Sequence, residues 1–429
     1  MKKFLKTFVS FLLKELAKQK IKKTGAKVIA ITGTVGKTSL KESVAFVLEN
    51  EFKIKKTRKN LNGFFGLPLD ILNQPYSSVP AKKWSIILIK CLLDLLKSKE
   101  KYDYYILEMG VAESKEMDYL LSIVKPFMST ITNIYPAHIE NFPGGYEEYK
   151  EQKLLLAQKT LVEGCVILPY QLKIVEKNVV ESLNNLVTYG ENVESDYKIV
   201  TPEATLNGIS FVFVTRQGEK IKIKNEAILG YEYIGSFACT AAICDILGLK
   251  AAVISNRLEK FKLPAGRLNL IKGIKDTIII DGSYNSSRYS TLSGLKALEL
   301  FGQTKIACLG DMRELGEFTK MEHEKVAEEV VKVVDILILV GPLMKQYLLP
   351  KVLESGFLQD KVYHFLSSEK AGKFLVDMVK GGEAILVKGS QNTILMERVV
   401  YALMQDKKNA KNLLCRQSEY WDKVRSVTP

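Results

Sequence analysis

Residues 28–39 read Val28-Ile29-Ala30-Ile31-Thr32-Gly33-Thr34-Val35-Gly36-Lys37-Thr38-Ser39. The first five form a short β-rich run, Gly33 to Gly36 a glycine turn, and from Lys37 to about Glu49 the pattern is helical. A glycine turn between a strand and a helix aims backbone N–H groups and the positive end of the helix at one point, an arrangement that cradles phosphate oxygens. There Lys37 can reach terminal phosphates and the Thr38 hydroxyl can bind Mg²⁺. The commoner phosphate-loop spacing would need a glycine at position 31, where this chain has Ile31, so the loop is a shortened variant.

Outward from this turn the chain alternates. Residues 104–107 and 130–134 read as further buried strands, each followed by polar turn material. Around 197–229 the apolar pattern changes to period two, with Asn207-Gly208 and Gln217-Gly218 as turn signals. A helix is expected at about 234–247, stopped by Gly248. After Pro264-Ala265-Gly266 a second alternation begins, with strands expected at 277–281, 305–309, 336–340 and 384–387. The pattern predicts an α/β protein with mostly parallel sheets flanked by helices. It divides into a basic amphipathic helix over 1–25, a central nucleotide-binding region over 26–264 with a small β-rich part, and a Rossmann-like α/β region over 265–429.

Bulk composition narrows the function. In 429 residues there are only three histidines and six cysteines without a CxxC pair, so a structural zinc site or a disulfide framework is not expected. The net charge of +14 admits nucleic acid, an anionic membrane surface or phosphorylated small molecules as partners. Residues 1–24 carry eight lysines and one acid, Glu15, with Leu5, Phe8, Val9, Leu12 and Leu16 at helical spacing. Residues 84–96, WSIILIKCLLDLL, form a second apolar stretch, too short for a bilayer that takes roughly 20 residues. Two helices packed on the body of the protein is one reading; peripheral contact with an anionic membrane is the other. Nucleic acid is disfavoured, because the lysines lack aromatic interleaving.

The motifs, taken in order, resemble the Mur ligase family. Its nucleotide loop has the form G-T-x-G-K-T-S. Asn60-Leu61-Asn62-Gly63-Phe64-Phe65-Gly66-Leu67-Pro68 is similar to its N-x-N-N-x-x-G-x-P segment, and Leu107-Glu108-Met109-Gly110 to its E-M-G motif. Ile131-Thr132-Asn133-Ile134-Tyr135-Pro136-Ala137-His138-Ile139-Glu140 resembles T-N-I-x-P-A-H-L-E. Gly310-Asp311-Met312-Arg313-Glu314-Leu315-Gly316, Val387-Lys388-Gly389-Ser390 and Met396-Glu397-Arg398 resemble segments of the member that adds D-alanyl-D-alanine.

The resemblance implies an ATP- and Mg²⁺-dependent amide ligase that phosphorylates a carboxylate and lets an amine displace phosphate. It implies nucleotide contacts from Gly33, Thr34, Val35, Gly36, Lys37, Thr38, Ser39, Asn133 and Ser236. Lys37 would stabilise the transferred phosphate, Thr38 and Glu108 would hold one Mg²⁺, and His138 would contribute to a second. Lys153, fifteen residues after His138, stands where many members carry a carbamylated lysine that adds negative charge at the second metal; Lys150 is the competing candidate. Arg267, in Pro264-Ala265-Gly266-Arg267, would reach the ATP phosphates from the carboxy-terminal region. Asp281-Gly282-Ser283-Tyr284-Asn285-Ser286-Ser287 resembles D-D-S-Y-N-A-N, but Gly282 replaces the usual ribose-contacting aspartate, so either Asp281 substitutes or that contact is missing. Asn60, Asn62, Tyr284 and Asn285 are the expected substrate contacts.

Other departures are Arg288 for a proline, Gly63 for the second paired asparagine, and Ser236 for an adenine-contacting asparagine. Members of this type carry an amino-terminal domain that grips the UDP end of the precursor. Here about 25 residues precede the first strand, and an insertion spans about 74–101. The expected function is addition of D-alanyl-D-alanine to a UDP-muramoyl tripeptide in peptidoglycan precursor synthesis. The alternative is a Mur-type ligase for another acid and amine, lipid-linked or otherwise not UDP-linked. A monomer in the cytoplasm is expected, with the first helix as the candidate membrane contact.

Overall fold

The computed structural model describes residues 3–58, 63–75, 84–390 and 393–427. Val28 to Thr32 are buried on both sides. The strand they form, β1 (Lys27–Thr32), accordingly lies inside a nine-stranded sheet with β2 (Ile54–Lys56), β3 (Tyr104–Glu108), β4 (Met128–Ile131), β5 (Cys165–Pro169), β6 (Leu186–Gly190), β7 (Tyr197–Thr205), β8 (Gly208–Val214) and β9 (Lys220–Asn225). The order is β2-β3-β1-β4-β5-β6-β7-β8-β9, parallel as far as β7. Near-continuous apolar runs such as β1 and β3 suit a sheet covered on both faces. From β7 to β9 pairing turns antiparallel, and β9 alternates exposed lysines with Ile221, Ile223 and Asn225 pointing inward.

The second sheet contains β10 (Asn269–Lys272), β11 (Ile278–Gly282), β12 (Lys305–Gly310), β13 (Ile336–Val340), β14 (Val362–Phe365) and β15 (Ala384–Lys388). Its order is β10-β11-β15-β12-β13-β14, all parallel except β10. Five short strands, β2, β5, β6, β10 and β14, did not stand out in the sequence. The strand expected at 130–134 starts at Met128 and stops at Ile131. It stops there because Thr132 and Asn133 turn their side chains onto the glycine loop: Thr132 Oγ1 donates to Val35 O at 2.6 Å, and Val35 N donates to Asn133 Oδ1 at 2.8 Å.

The helices that bear on function are α1 (Lys3–Thr24), α2 (Lys37–Leu48), α3 (Gly66–Ile71), α4 (Trp84–Lys97), α5 (Glu116–Ile123), α6 (Gly145–Gln158) and α7 (Glu232–Ile246). Helix α1 lies on α3, α4 and α5. Its buried face is Val9, Leu13, Ala17, Lys20 and Thr24, one step around the helix from the expected stripe; Val9 is common to both, and Phe8 faces solvent. The shift follows Lys20, whose buried ammonium lies 2.9 Å from Asp94 of α4 and 3.4 Å from Glu100. Among the described residues no helix is long and apolar enough to cross a membrane.

Removing one partner of a buried ion pair leaves the other charge uncompensated. Lys20→Ala should lower stability by about 2 kcal/mol, read as a fall in melting temperature against Lys22→Ala, an exposed neighbour that should show no change.

Candidate active site

Strand β1 has β3 on one side and β4 on the other, with Ile31 opposite Glu108 and Thr32 opposite Ile131. The connections leaving β1, β3 and β4 therefore diverge from one point at the carboxyl edge of the sheet, where open α/β sheets make a crevice. The second sheet supplies the opposite wall. Strand β15 runs between β11 and β12, bringing Gly282 and Leu309 level with Lys388. The two carboxyl edges face each other across a cleft of about 460 Å³.

The glycine loop is held from outside rather than by its own contacts. Thr34 N donates to Asn133 O at 3.0 Å, and Tyr135 N donates to Thr34 Oγ1 at 3.0 Å. Gly33 has φ 138° and Gly36 φ 89°. A Cβ on Gly33 would lie 2.0 Å from Thr132 Oγ1. Both glycines are thus required by backbone geometry, and Gly33 also by close approach.

Two lysines converge on this loop. Lys37 Nζ donates to Gly33 O at 2.7 Å and to Thr34 O at 3.0 Å. Lys153, buried on α6, donates to the same Gly33 O at 2.9 Å, and its ammonium lies 4.6 Å from the Tyr149 ring centre. Burial, and then the charge of Lys37, hold the Lys153 amine well below the usual lysine range. Burial likewise lowers Lys37, partly offset by Glu108. Lys150, the competing candidate, pairs instead with Glu147 at 2.6 Å on the outside of the helix.

Glu108 ends β3 as a buried carboxylate on the cleft wall, with Lys41 Nζ at 3.7 Å. Thr38 and His138 also line the cleft. The His138 ring bonds through Nδ1 to Glu314, and Ile139 N donates to Glu314 O at 3.0 Å. That contact holds the Glu314 carboxyl below its usual range. It also joins the two halves of the protein, together with stacking of Tyr135 on Tyr289.

From the second half, Arg267 reaches Thr38 Oγ1 at 3.5 Å while its guanidinium lies 4.1 Å from the Tyr284 ring centre. Ser39, Asn133, Ser236, Tyr284 and Asn285 line the cleft as well. Asp281 does not: it is buried behind Gly282, where its carboxyl accepts from Ser283 N at 3.0 Å. A one-residue shift puts its side chain on the inner side of β11, so it offers nothing to a ribose in this arrangement. Asn60 and Asn62 lie outside the described residues.

Four residues in or behind the cleft were given no role in the sequence reading. Lys41 backs Glu108 and donates to Thr57 O at 2.8 Å. Glu116 gathers the N–H groups of Phe64 and Ala112 at 3.1 and 2.7 Å. Glu314 braces His138. Lys388 bonds Asn285 O and, at 3.3 Å, Gly282 O; burial and the Arg267 charge lower its amine to about 7. Glu314 and Lys388 sit inside recognisable motifs, but their bonding partners are more than 100 residues away in sequence.

Comparison with known proteins is concordant. Residues 31–242 match the Mur ligase middle domain, and residues 266–391 match the Mur ligase, glutamate ligase domain. The UDP-N-acetylmuramoyl-tripeptide–D-alanyl-D-alanine ligase of Buchnera aphidicola subsp. Acyrthosiphon pisum is 28% identical over 392 residues, covering 90% of this chain and 78% of that protein. A crystal structure of MurF from Acinetobacter baumannii superposes with a TM-score of 0.76 at 25% identity, covering 92% of this chain and 80% of that one. A MurF ligase from Thermotoga maritima in complex with ADP shares the fold, with a TM-score of 0.75 at 24% identity over 94% of this chain and 84% of that one.

Gly33→Ala should weaken binding of a fluorescent ATP analogue by about tenfold or more while circular dichroism stays unchanged. Burial also sets a pH dependence at Asp281, whose carboxyl is pushed from 3.8 up to about 6. Its stabilising contribution is complete below 3.8 and is lost as pH rises through about 6. Between about pH 4 and about pH 7, Asp281→Asn should therefore gain about 3 kcal/mol relative to the parent chain, seen as a change of sign or slope in the melting-temperature difference.

Proposed function

The chain belongs to the Mur ligase family, and we propose that it joins D-alanyl-D-alanine to a UDP-N-acetylmuramoyl tripeptide at the expense of ATP. One observation carries the reading: the glycine loop with Lys37, the carboxylate of Glu108, and Arg267 from the opposite sheet all open on one cleft. A carboxylate and an amine do not condense in water without activation. ATP supplies it by transferring its γ-phosphoryl group to the carboxylate oxygen, releasing ADP. The amine nitrogen then adds to the acyl carbon, the tetrahedral intermediate collapses, and phosphate leaves with the oxygen it received. Catalysis of this kind rests on positioning and on neutralising crowded negative charge.

The residues divide that task. The loop N–H groups and α2 receive the phosphates. Lys37, whose ammonium bonds the Gly33 and Thr34 carbonyl oxygens of its own loop, can turn to the transferred phosphoryl group. Arg267 approaches from the second sheet, so full neutralisation requires both halves of the protein. Tyr284 and Asn285 lie on the same side as Arg267, where they would meet the incoming dipeptide.

Mg²⁺ suits the donors available. Glu108 and Thr38 offer hard oxygen atoms beside the loop, and among the described residues no cluster of three or more His, Cys, Asp or Glu side chains forms a closed cage. A site sharing its ion with nucleotide phosphates needs few protein ligands. The ion would screen the phosphate oxygens from the incoming carboxylate, whose oxygen attacks the γ-phosphorus. His138 would serve a second ion on release of Glu314. Lys153 fits the carbamate proposal: burial holds its amine well below the usual lysine range, which favours the neutral form that adds carbon dioxide.

Phosphate release should require both UDP-muramoyl tripeptide and D-alanyl-D-alanine; release with neither, or with another acid and amine only, would refute the assignment. Lys37→Ala should lower turnover by about a thousandfold or more with the fold intact, because it removes charge from the transferred group. Glu108→Ala should raise the Mg²⁺ concentration for half-maximal rate by about tenfold. Intact-mass analysis in bicarbonate should find one added carbon dioxide on Lys153, and an active enzyme with an unmodified amine would remove the carbamate from the scheme.

A further inference from the structure

Helix α4 is apolar on opposite faces, and the body of the protein covers only one of them. Trp84 and Cys91, two turns apart, point inward. Ile86, Ile89, Leu93 and Leu96 repeat at spacings of three and four on the opposite side, with exposures of 53, 58, 44 and 64%. Leu92 adds to one edge of this stripe. On α1, which packs against α4, Phe8 and Phe11 are also more than half exposed. A contiguous exposed stripe of this kind marks an interaction surface.

The charges around it say which kind. Lys90 and Lys97 flank the stripe on α4. At its end, Leu96 meets Lys23, Lys97, Lys99 and Lys101 around a shallow depression. Lys23 Nζ donates to Leu95 O and Leu96 O at 2.8 and 2.9 Å, and Lys101 Nζ to Lys23 O at 2.9 Å, so the depression is built rather than a chance gathering of loose side chains. The neighbouring acids, Asp94 and Glu100, are drawn inward by the buried Lys20. Among the described residues no carboxylate pairs with Lys90, Lys97, Lys99 or Lys101, and the rim stays positive.

We propose that α4 docks the protein on an anionic lipid surface, with Ile86, Ile89, Leu93 and Leu96 in the acyl boundary and the Lys23–Lys97–Lys99–Lys101 depression against headgroup phosphates. A helix of 14 residues, about 21 Å long, lies in the interface plane and does not span it. A second copy is the poorer occupant. A two-fold contact would set this lysine rim against itself, and like charges would oppose the pairing. The sequence suggested membrane contact through α1, the 84–96 stretch or both; α1 spends Val9, Leu13 and Ala17 on the body, and among its described side chains Phe8 and Phe11 are the large apolar ones left exposed. Whatever substrate the cleft accepts, the docking surface is separate from it.

The full chain should float with vesicles of phosphatidylcholine and phosphatidylglycerol, and not with phosphatidylcholine alone. Added salt should reduce the bound fraction. The double variant Ile89→Glu, Leu93→Glu should lose about tenfold or more of that partitioning, with melting temperature and phosphate release from soluble substrates unchanged. Lys97→Glu with Lys99→Glu should weaken binding to anionic vesicles in the same way. Failure to float with anionic vesicles, equal binding to neutral ones, or binding that both variants leave intact would overturn the proposal. So would a dimer in analytical ultracentrifugation that the Ile89→Glu, Leu93→Glu variant dissolves in a protein without vesicle affinity.

Discussion

Two lysine side chains share one carbonyl oxygen. Lys37 and Lys153 come from different helices and meet at Gly33 O, at 2.7 and 2.9 Å. Both amines are held below their ordinary range by burial and, for Lys153, by the other lysine; Glu108 and Glu116 offset this only in part. Such a loop favours a polyanion, because the fold has already met the cost of aiming its N–H groups and the Lys37 side chain at one point. The glycine geometry, the bracing by Thr132 and Asn133, and the inward aim of α6 serve to hold this positive centre open.

The second constraint is topological. A crevice forms where neighbouring strands send their connections in opposite directions, as they do at β1, and the carboxyl ends of β11, β15 and β12 supply its opposite wall. Setting the two sheets edge to edge lets a phosphate loop on one sheet meet an arginine on the other. Among the contacts that join the halves at the cleft are His138 and Ile139 with Glu314, Tyr135 on Tyr289, Tyr233 with Arg267 O, and Arg267 with Thr38. Thr38, His138, Arg267 and Glu314 also line the cleft, so a ligand that recruits Arg267 or His138 must alter the seam. Binding and the relative placement of the halves are thereby coupled.

Much of this was legible in the sequence where the signal is local. The strand, glycine turn and helix at 28–48 follow from residue type and spacing alone, as do the period-two strands after residue 197. Short strands such as β14 lack distinctive flanks and were passed over. The face of α1 was misjudged by one step because its apolar residues form two adjacent stripes, and a distant Asp94 selects between them. Within the cleft, residues tied to a motif were found, while Lys41, Glu116 and the bracing roles of Glu314 and Lys388 depend on partners supplied by other strands. Asp281 shows the reverse error. Its motif position suggested a ribose contact, but strand parity turns its side chain into the protein.

The account depends on a triphosphate bridging the two strand edges. A crystal structure with a non-hydrolysable ATP analogue and Mg²⁺ tests it most directly. The phosphates should rest on residues 33–38, with Lys37 turned away from Gly33 O toward the terminal phosphate and Arg267 reaching it from the opposite side. A nucleotide bound elsewhere, or bound at the loop with both lysines still on the Gly33 carbonyl, would contradict the account.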